Sequence, residues 1–475
     1  MKKRVISILL TAAMAGSLLA GCGSSSTATS SGSAGGSSAT SSSATAAASS
    51  SSKESEAAST SATSANSTAG ETTGDVTSDP VTITFWSWDN KNFQQFFDAY
   101  HEEHPNVTFE LTDVEWGDML TKVQQALASG SELPTIFPMD ISLIGSWKQM
   151  DIFEDLTQYG IDPSNYNDAL IKAGTDDNGK LVGLFECTCP SGIAYKRDLA
   201  KKYFGTDDPD ELQEQFASYD DYVEAAKTVS EQSGGKDFLF HSGQAVAEWL
   251  YFASEIPNAD GNTINMTEKM NDVFGTLIDL RDAGGIDTYQ NGTPEANATY
   301  ADDSHIFYPC PDWAMKYYIE ANDPDGSGNW GLIKAPSGYQ HGGTALGISS
   351  AASDDQKAVA ADFIKWLFST EDGATVMKNA AGYITQDKRI ATDEFIKRND
   401  EDFFGGEDIS SLLYKDIASQ ITIATPTKYD NDVINTRNDI AQQVMDDKSM
   451  TLDQAVSAAV DELKSVVTDP DAEIK

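Results

Sequence analysis

Basic residues are scarce in this chain. Lysine and arginine number 32 against 74 aspartate and glutamate, leaving a net charge of −42 over 475 residues. A surface of that sign excludes nucleic acid and an anionic membrane surface as expected partners; it reads mainly as solubility. Long apolar runs are also lacking: the stretch from Val5 to Ala20 is too short for a comfortable transmembrane helix. The marks of several enzyme classes are missing. There is no His-Glu-x-x-His, no phosphate-binding Gly-rich loop ending in Lys-Ser/Thr, and no Gly-x-Ser-x-Gly outside low-complexity sequence. His101 and His104 share a predicted helix, but two histidines alone do not make a zinc site. Asp323-Pro324-Asp325-Gly326 begins like a calcium loop and lacks its closing glutamate. No internal repeat is present. Cysteine is limited to four residues, and beyond Cys22 only Cys187, Cys189 and Cys310 remain. An odd number in an exported chain leaves at least one unpaired.

What is present begins with a leader. Lys2, Lys3 and Arg4 precede the apolar stretch, and small residues lead to Leu19-Ala20-Gly21-Cys22. That order makes a secretory signal, and its last four residues resemble the lipobox of bacterial lipoproteins. The resemblance implies a signal peptide over 1–21 and lipidation of Cys22. The mature chain would be held by N-terminal lipid on the extracellular face of the cytoplasmic membrane. From Gly23 to about Asp79 the chain is nearly all Ser, Ala, Thr and Gly, a composition with too little apolar surface to repay ordering. Residues 22–80 are therefore expected to form a flexible tether, spanning roughly 40 Å at about 5–6 Å × √n. The rest exceeds one typical hydrophobic core, so two lobes are expected.

The folded part opens with Val81-Thr82-Ile83-Thr84-Phe85, which alternates as a strand. A helix follows with Phe93, Phe96, Phe97 and Tyr100 on one face. Val107–Leu111 returns as a strand, a helix is predicted near Asp118–Ala128, and a short strand ends at Asp140. Strand, helix, strand, helix, strand is the pattern of a parallel α/β sheet. Later signals predict a strand over Leu181–Phe185 and helices from Ser218, near Ala245–Ser254 and over Thr267–Asp282. Capping boxes are predicted at Ser353 with Gln356 and at Ser369 with Asp372. The tail reads as two helices. Cys187 and Cys189, two apart, read as lying on one strand, a poor geometry for bonding each other. Either can pair with Cys310 in an oxidising compartment; three free buried thiols and a three-thiolate metal site are the other arrangements.

The order of these segments resembles the extracellular solute-binding proteins that serve carbohydrate ABC importers, the family that includes maltose-binding protein. Leu120 to Gly130 through Leu133-Pro134-Thr135-Ile136 is similar to its "ALASGxxPDV" stretch. Gly179-Lys180-Leu181-Val182-Gly183-Leu184, then Ile193-Ala194-Tyr195-Lys196-Arg197-Asp198, resembles "GKxYGLP … YNKD", with Phe185 and Lys196 departing from it. Trp330-Gly331-Leu332, Pro336 and Gly342-Gly343-Thr344-Ala345-Leu346-Gly347-Ile348 resemble "WGxxxxP … GGxxxxI". Ala358 to Phe368 is similar to its "AAxxFIKFL" helix, and Gly382-Tyr383-Ile384 to "GxxP" with Thr385 in the proline's place. The likeness spans about Val81 to Val467, and no single motif carries it.

The resemblance implies a two-lobe α/β fold of the periplasmic-binding-protein type, with hinge strands and an interlobe cleft. Lobe one is expected over 81–184 plus 333–383, and lobe two over 185–331 plus 384–475. It implies a monomeric receptor, not an enzyme, that closes on a carbohydrate and delivers it to ABC permease transmembrane subunits. Neither metal nor cofactor is expected. A sugar offers edge hydroxyls and C–H faces, so its site needs aromatic platforms and placed carboxylates. Such residues stand where the fold opens its cleft, at strand C-terminal ends. The candidates are Trp86, Trp88, Asp89 and Asn90 after the first strand, Asp140 after the third, Glu186 at the lobe crossing, and Glu248 and Trp249 on a helix. Trp313, Gly343 beside Gly342, and Tyr383 as a rim contact complete them. A polyamine or other small solute on the same fold is the nearest alternative, and a secreted glycan-binding or glycan-cleaving surface protein a further one. Carboxylate pairs for glycoside hydrolysis stay open on counting alone; only the resemblance sets them aside.

Overall fold

The computed structural model describes residues 77–397 and 402–475. The expected signal peptide, Cys22 and the tether up to residue 76 lie outside the described residues. Among the described residues no helix is long and apolar enough to cross a membrane.

Among the described residues, twelve strands form three sheets. The first holds β1 (Val81–Ser87), β2 (Val107–Asp113), β3 (Ile136–Asp140), β4 (Leu184–Phe185) and β11 (Thr344–Ile348) in the order β2-β1-β3-β11-β4. Alternation in β1 buries Val81, Ile83 and Phe85, and the helix Asn90–Glu103 lays its four aromatics over that face. Phe85 meets Phe93 at a centroid distance of 4.5 Å, and Phe97 stacks on Phe109 of β2 at 4.0 Å. The first three strands are parallel, as their alternation with helices predicts. β11 then arrives antiparallel between β3 and β4, about 200 residues after β3.

The second sheet is antiparallel and centred on β5 (Pro190–Lys196). β8 (Phe307–Pro311) pairs along one edge, and β9 (Trp330–Ile333) and β10 (Tyr339–Gln340) along the other. Its core gathers Tyr222, Phe240, Trp249 and Phe307 with the helices Met266–Asp282, Asp430–Asp446 and Leu452–Val466. A small third sheet of β6 (Ala259–Asp260), β7 (Thr263–Ile264) and β12 (Glu473–Ile474) ties down the C-terminus.

Two of the chain's crossings join strands of the large sheets, and a third follows residue 391 on the way to the C-terminal helices. Residues 186–189 lead from β4 to β5, and residues 341–343 lead from β10 back to β11. This shifts the expected lobe boundaries. Residues 333–340 pair and pack with the second sheet, since Ile333 stands opposite Ile193 and Tyr339 and Gln340 stand opposite Ser191 and Pro190. Residues 385–388 bind the first sheet's elements: Thr385 Oγ1 donates to Phe368 O at 2.6 Å, Gln386 Nε2 to Phe185 O at 2.6 Å and Lys388 N to Asn165 O at 2.8 Å.

Local signals mostly hold. Ser353 and Gln356 make both bonds of a capping box ahead of Asp354–Ser369. Ser353→Ala should cost about 1 kcal/mol, read as a lower urea midpoint with an unchanged slope. The next cap moves by one residue. Thr370 Oγ1 accepts the Gly373 N–H at 3.1 Å, because Ser369 ends the preceding helix and its hydroxyl is bonded to Tyr166. The strand predicted over Leu181–Phe185 shortens to Leu184–Phe185, since Val182 and Gly183 turn their N–H groups onto Gly174 O. Cys187 and Cys189 lie off any strand, and Cys189 has φ +42°. Of the arrangements left open for the cysteines, the described residues show three free buried thiols rather than a pairing with Cys310, and Cys187 Sγ lies 2.9 Å from Cys189 Sγ.

Candidate functional site

The two sheets face each other across the crossing segments, and the strand ends aimed there carry most of the candidate residues. β1 carries Trp86 next to its last residue, Ser87, and leads into Trp88, Asp89 and Asn90. Trp86 turns aside, with the Lys122 ammonium 4.6 Å from its ring centroid. Trp88 is half-buried, and its carbonyl accepts the Tyr317 hydroxyl from the other side at 3.4 Å. Asp89 Oδ2 accepts Asn92 Nδ2 at 3.0 Å, and Asn90 Nδ2 donates to Asp113 Oδ1 at 2.9 Å. Asp89 Oδ1 and Asn90 Oδ1 are buried acceptors with no partner among the described residues. Native structures rarely leave such atoms unpaired without a reason.

Asp140, at the end of β3, does two things. Its Oδ1 caps the helix Ile141–Trp147 by accepting Ser142 N–H at 2.8 Å, and its carboxyl is near enough to Glu248 to feel that charge. Burial pushes both Asp140 and Asp89 up to about 6. Glu186 is 5% exposed and accepts the Thr344 N–H at 3.2 Å. Burial, with the Asp89 and Asp312 charges, raises it well above the usual range. Asp312, at the end of β8, is 1% exposed; it accepts Trp313 N–H at 2.8 Å and the Tyr414 hydroxyl, and burial pushes it up to about 6.

Trp313 Nε1 donates to His341 O at 2.9 Å, which pins β8's end to the second crossing. Gly342 (φ +92°) lets that crossing pass under the indole, because a Cβ there would lie 2.6 Å from Trp313 Nε1. Gly343 (φ +117°) accepts the Ile141 N–H at 3.0 Å. Glu248 lies 3.5 Å from both His341 Nε2 and Arg437 Nη2.

One candidate falls elsewhere, and one lies deeper than expected. Trp249 is fully buried and packs against Tyr222 and Phe240 at 5.3 and 5.6 Å, so it belongs to the second sheet's core. A helix among packed neighbours presents one face to the cleft, and Glu248 holds it. Tyr383 is 6% exposed rather than a rim residue, and its phenol is raised by burial and then by the Glu186, Asp89 and Asp312 charges. Sequence reasoning missed Trp116, which lies near Asp140, and also Tyr317, Tyr318, His341 and Arg437. Asp312 and His341 adjoin residues that were singled out; Arg437, on a helix of mostly polar residues, gave no signal.

The arrangement thus offers flat rings from Trp88, Trp313, Tyr317 and Tyr318 beside the carboxylates of Asp89, Asp140, Glu186, Glu248 and Asp312. It suits a ligand that presents hydrogen-bond donors at its edge and apolar faces.

Comparison with known proteins follows the same lines. Residues 95–404 match the profile of the bacterial extracellular solute-binding proteins. The chain is 23% identical to the arabinooligosaccharide-binding protein of Halalkalibacterium halodurans over 419 residues, 82% of this chain and 91% of that one. Among solved structures it resembles the galacto-N-biose/lacto-N-biose I-binding protein of a Bifidobacterium longum ABC transporter, at TM-score 0.65 and 21% identity, covering 82% and 98% of the two chains. A maltose-bound protein of T. maritima matches at TM-score 0.63 and 16% identity, covering 81% and 100%.

Proposed function

This chain belongs to the bacterial extracellular solute-binding proteins, and on that premise we propose that it is a lipid-anchored receptor which captures a sugar or oligosaccharide for an ABC import permease. The observation that carries the reading is the pair of buried, unpartnered acceptors at Asp89 and Asn90, set beside half-buried Trp88 where the sheets face each other. Hydroxyl donors would satisfy the acceptors while a pyranose face covers the ring. The related binding proteins for arabinooligosaccharide and lacto-N-biose add support. We assign lobe one to residues 81–185 and 344–391 and lobe two to the remainder of 186–475, with the crossings as hinge. Ligand touching both lobes favours the closed form, because only differential contact shifts such an equilibrium. The permease would recognise that closed monomer. The leader ending at Cys22 supports lipid attachment at the extracellular face, and the reading assigns no catalytic step to this chain.

Melting temperature scanned against mono- and oligosaccharides plus polyamines tests this. A ligand at about 100 times its dissociation constant adds roughly 2.7 kcal/mol, a visible shift. A shift with one sugar class, the sugar recovered intact, supports the proposal. A second reading rests on Asp89, Asp140, Glu186 and Asp312, whose bonded partners are neutral donors: an ammonium ligand would suit them, and a shift with polyamines alone would replace the cargo. Release of reducing ends would sink the receptor reading.

The same carboxylates predict a pH dependence. Asp89, Asp140 and Asp312 rise from 3.8 to about 6 in the fold. The stability they contribute is full below about 3.8 and is lost as pH rises through about 6. His241, which burial holds down to about 4, and His341, which burial also lowers, oppose this below pH 6.5, while Glu186, raised well above its usual range by burial, adds to it. The unliganded protein should melt lower at pH 7 than at pH 5. Affinity should run the other way, since ionised carboxylates are the stronger acceptors; calorimetry showing no gain in sugar affinity from pH 5 to pH 7 would remove Asp89 and Asp140 from the site.

A further inference from the structure

The first crossing segment brings metal-ligating groups together. Cys187 Sγ and Cys189 Sγ are 2.9 Å apart, and a Glu186 carboxylate oxygen and both sulfurs lie within 4.8 Å of one another. From the end of β8, Asp312 adds Oδ2 at 3.5 Å from Cys187 Sγ. All four are buried: Glu186 is 5% exposed, Cys187 0%, Cys189 1% and Asp312 1%. Residues i and i+2 of an extended strand stand about 6.6 Å apart along it. Here the left-handed backbone at Cys189, φ +42°, breaks that spacing, and it is the one positive φ outside glycine among the described residues. Two buried carboxylates beside two thiols form an environment that a cation would balance, and their present bonds come from neutral donors at Thr344, Trp313 and Tyr414.

We propose that Glu186, Cys187, Cys189 and Asp312 form a site for one thiolate-preferring divalent cation of the Zn²⁺ class. Two sulfurs with two carboxylate oxygens make a four-ligand set that zinc accepts, whereas calcium and magnesium take oxygen alone. Tetrahedral zinc with sulfur at about 2.3 Å sets two thiolates about 3.8 Å apart. The pair therefore opens by roughly 1 Å on binding, as each thiol gives its proton to solvent and each sulfur gives a lone pair to the metal. Without metal, burial keeps both thiols protonated, Cys187 pushed up to about 12. Because this segment joins the two sheets and Gly343 of the other crossing lies beside it, with its Cβ position 3.7 Å from Cys189 Sγ, the metal would brace the floor of the cleft. The inference does not rest on the identity of the transported solute.

The test uses the full chain, reduced, treated with chelator and dialysed, then titrated with Co²⁺ as a coloured stand-in for Zn²⁺. Expected are one equivalent bound, near-ultraviolet thiolate-to-cobalt absorption, its loss on adding one equivalent of Zn²⁺, and release of at least two protons per metal, one from each thiol and any held by the two carboxyls. Cys187→Ser and Cys189→Ser should each weaken binding at least tenfold and remove most of that absorption, while Cys310→Ser keeps both. Failure of folded wild-type protein to develop the absorption overturns the proposal, with no variant needed. So does absorption that survives in both serine variants, or a Cys187–Cys189 disulfide in protein isolated from the cell surface without reductant, since those sulfurs would have no thiolate to give.

Discussion

Arg437→Ala should destabilise the fold by about 3–4 kcal/mol. Arg437 is fully buried. Its guanidinium lies 4.6 Å from the Tyr251 ring centroid, bonds Asn438 Oδ1 through Nε at 3.2 Å and Nη2 at 2.7 Å, and reaches Glu248 at 3.5 Å. Removing one member of a buried pair costs about 3–5 kcal/mol, because the other charge stays behind. The Glu248 side chain keeps 27% exposure and a second partner in His341, so the electrostatic part falls at the low end; the emptied volume against Tyr251 adds to it. Arg437→Lys should recover little, since an ammonium cannot stack on the ring and fork to Asn438 together. Chemical denaturation reads the loss, and a cost below about 1 kcal/mol would show that Glu248 holds without it. The same variant frees Glu248 and His341 at the cleft, so any surviving fold should also bind ligand more weakly.

Trp313→Ala and Trp88→Ala should each weaken sugar binding by about 1–3 kcal/mol, roughly 5- to 150-fold, with the protein still folded. Trp313 carries more than a platform. Its Nε1–His341 O bond and its contact over Gly342 hold the second crossing against β8, so Trp313→Ala should also lower the melting temperature. Trp88 sits in a half-buried loop position whose carbonyl rather than indole meets Tyr317, and its loss should leave stability nearly unchanged. Trp313→Phe keeps a ring and loses the N–H, which separates stacking from crossing geometry. Unchanged calorimetric affinity in both alanine variants would sink the site.

Much of the first sheet was legible. The alternation of Val81, Ile83 and Phe85 and the aromatic stripe from Phe93 to Tyr100 reflect the periods of a strand and a helix packed on it, and both were visible within twenty residues. The capping box at Ser353 was equally local. The Ser369 cap failed by one position because Tyr166, far away in sequence, takes that hydroxyl. The choice between Glu248 and Trp249 stayed open for a related reason: the sequence put both on one helix with one side chain facing the cleft and the others packing, and which face that was depended on Tyr222, Phe240 and Phe307 filling the other side.

By itself the sequence determined the acidic composition, the strand–helix alternation that opens the fold, and a segment order shared with the bacterial extracellular solute-binding proteins. Each is set by composition or by contacts a few residues apart. Only the tertiary structure decided that the chain crosses at 186–189 and 341–343, that Arg437 lies beneath Glu248, and that Cys187 meets Cys189 rather than Cys310. Burial and charge at the cleft come from residues 89, 140, 186, 248 and 312, brought together by β11 returning antiparallel beside β3 and by the packing of the second sheet's helices. No local pattern encodes such meetings, because the free energy that fixes them arises between surfaces that touch only once the chain has folded.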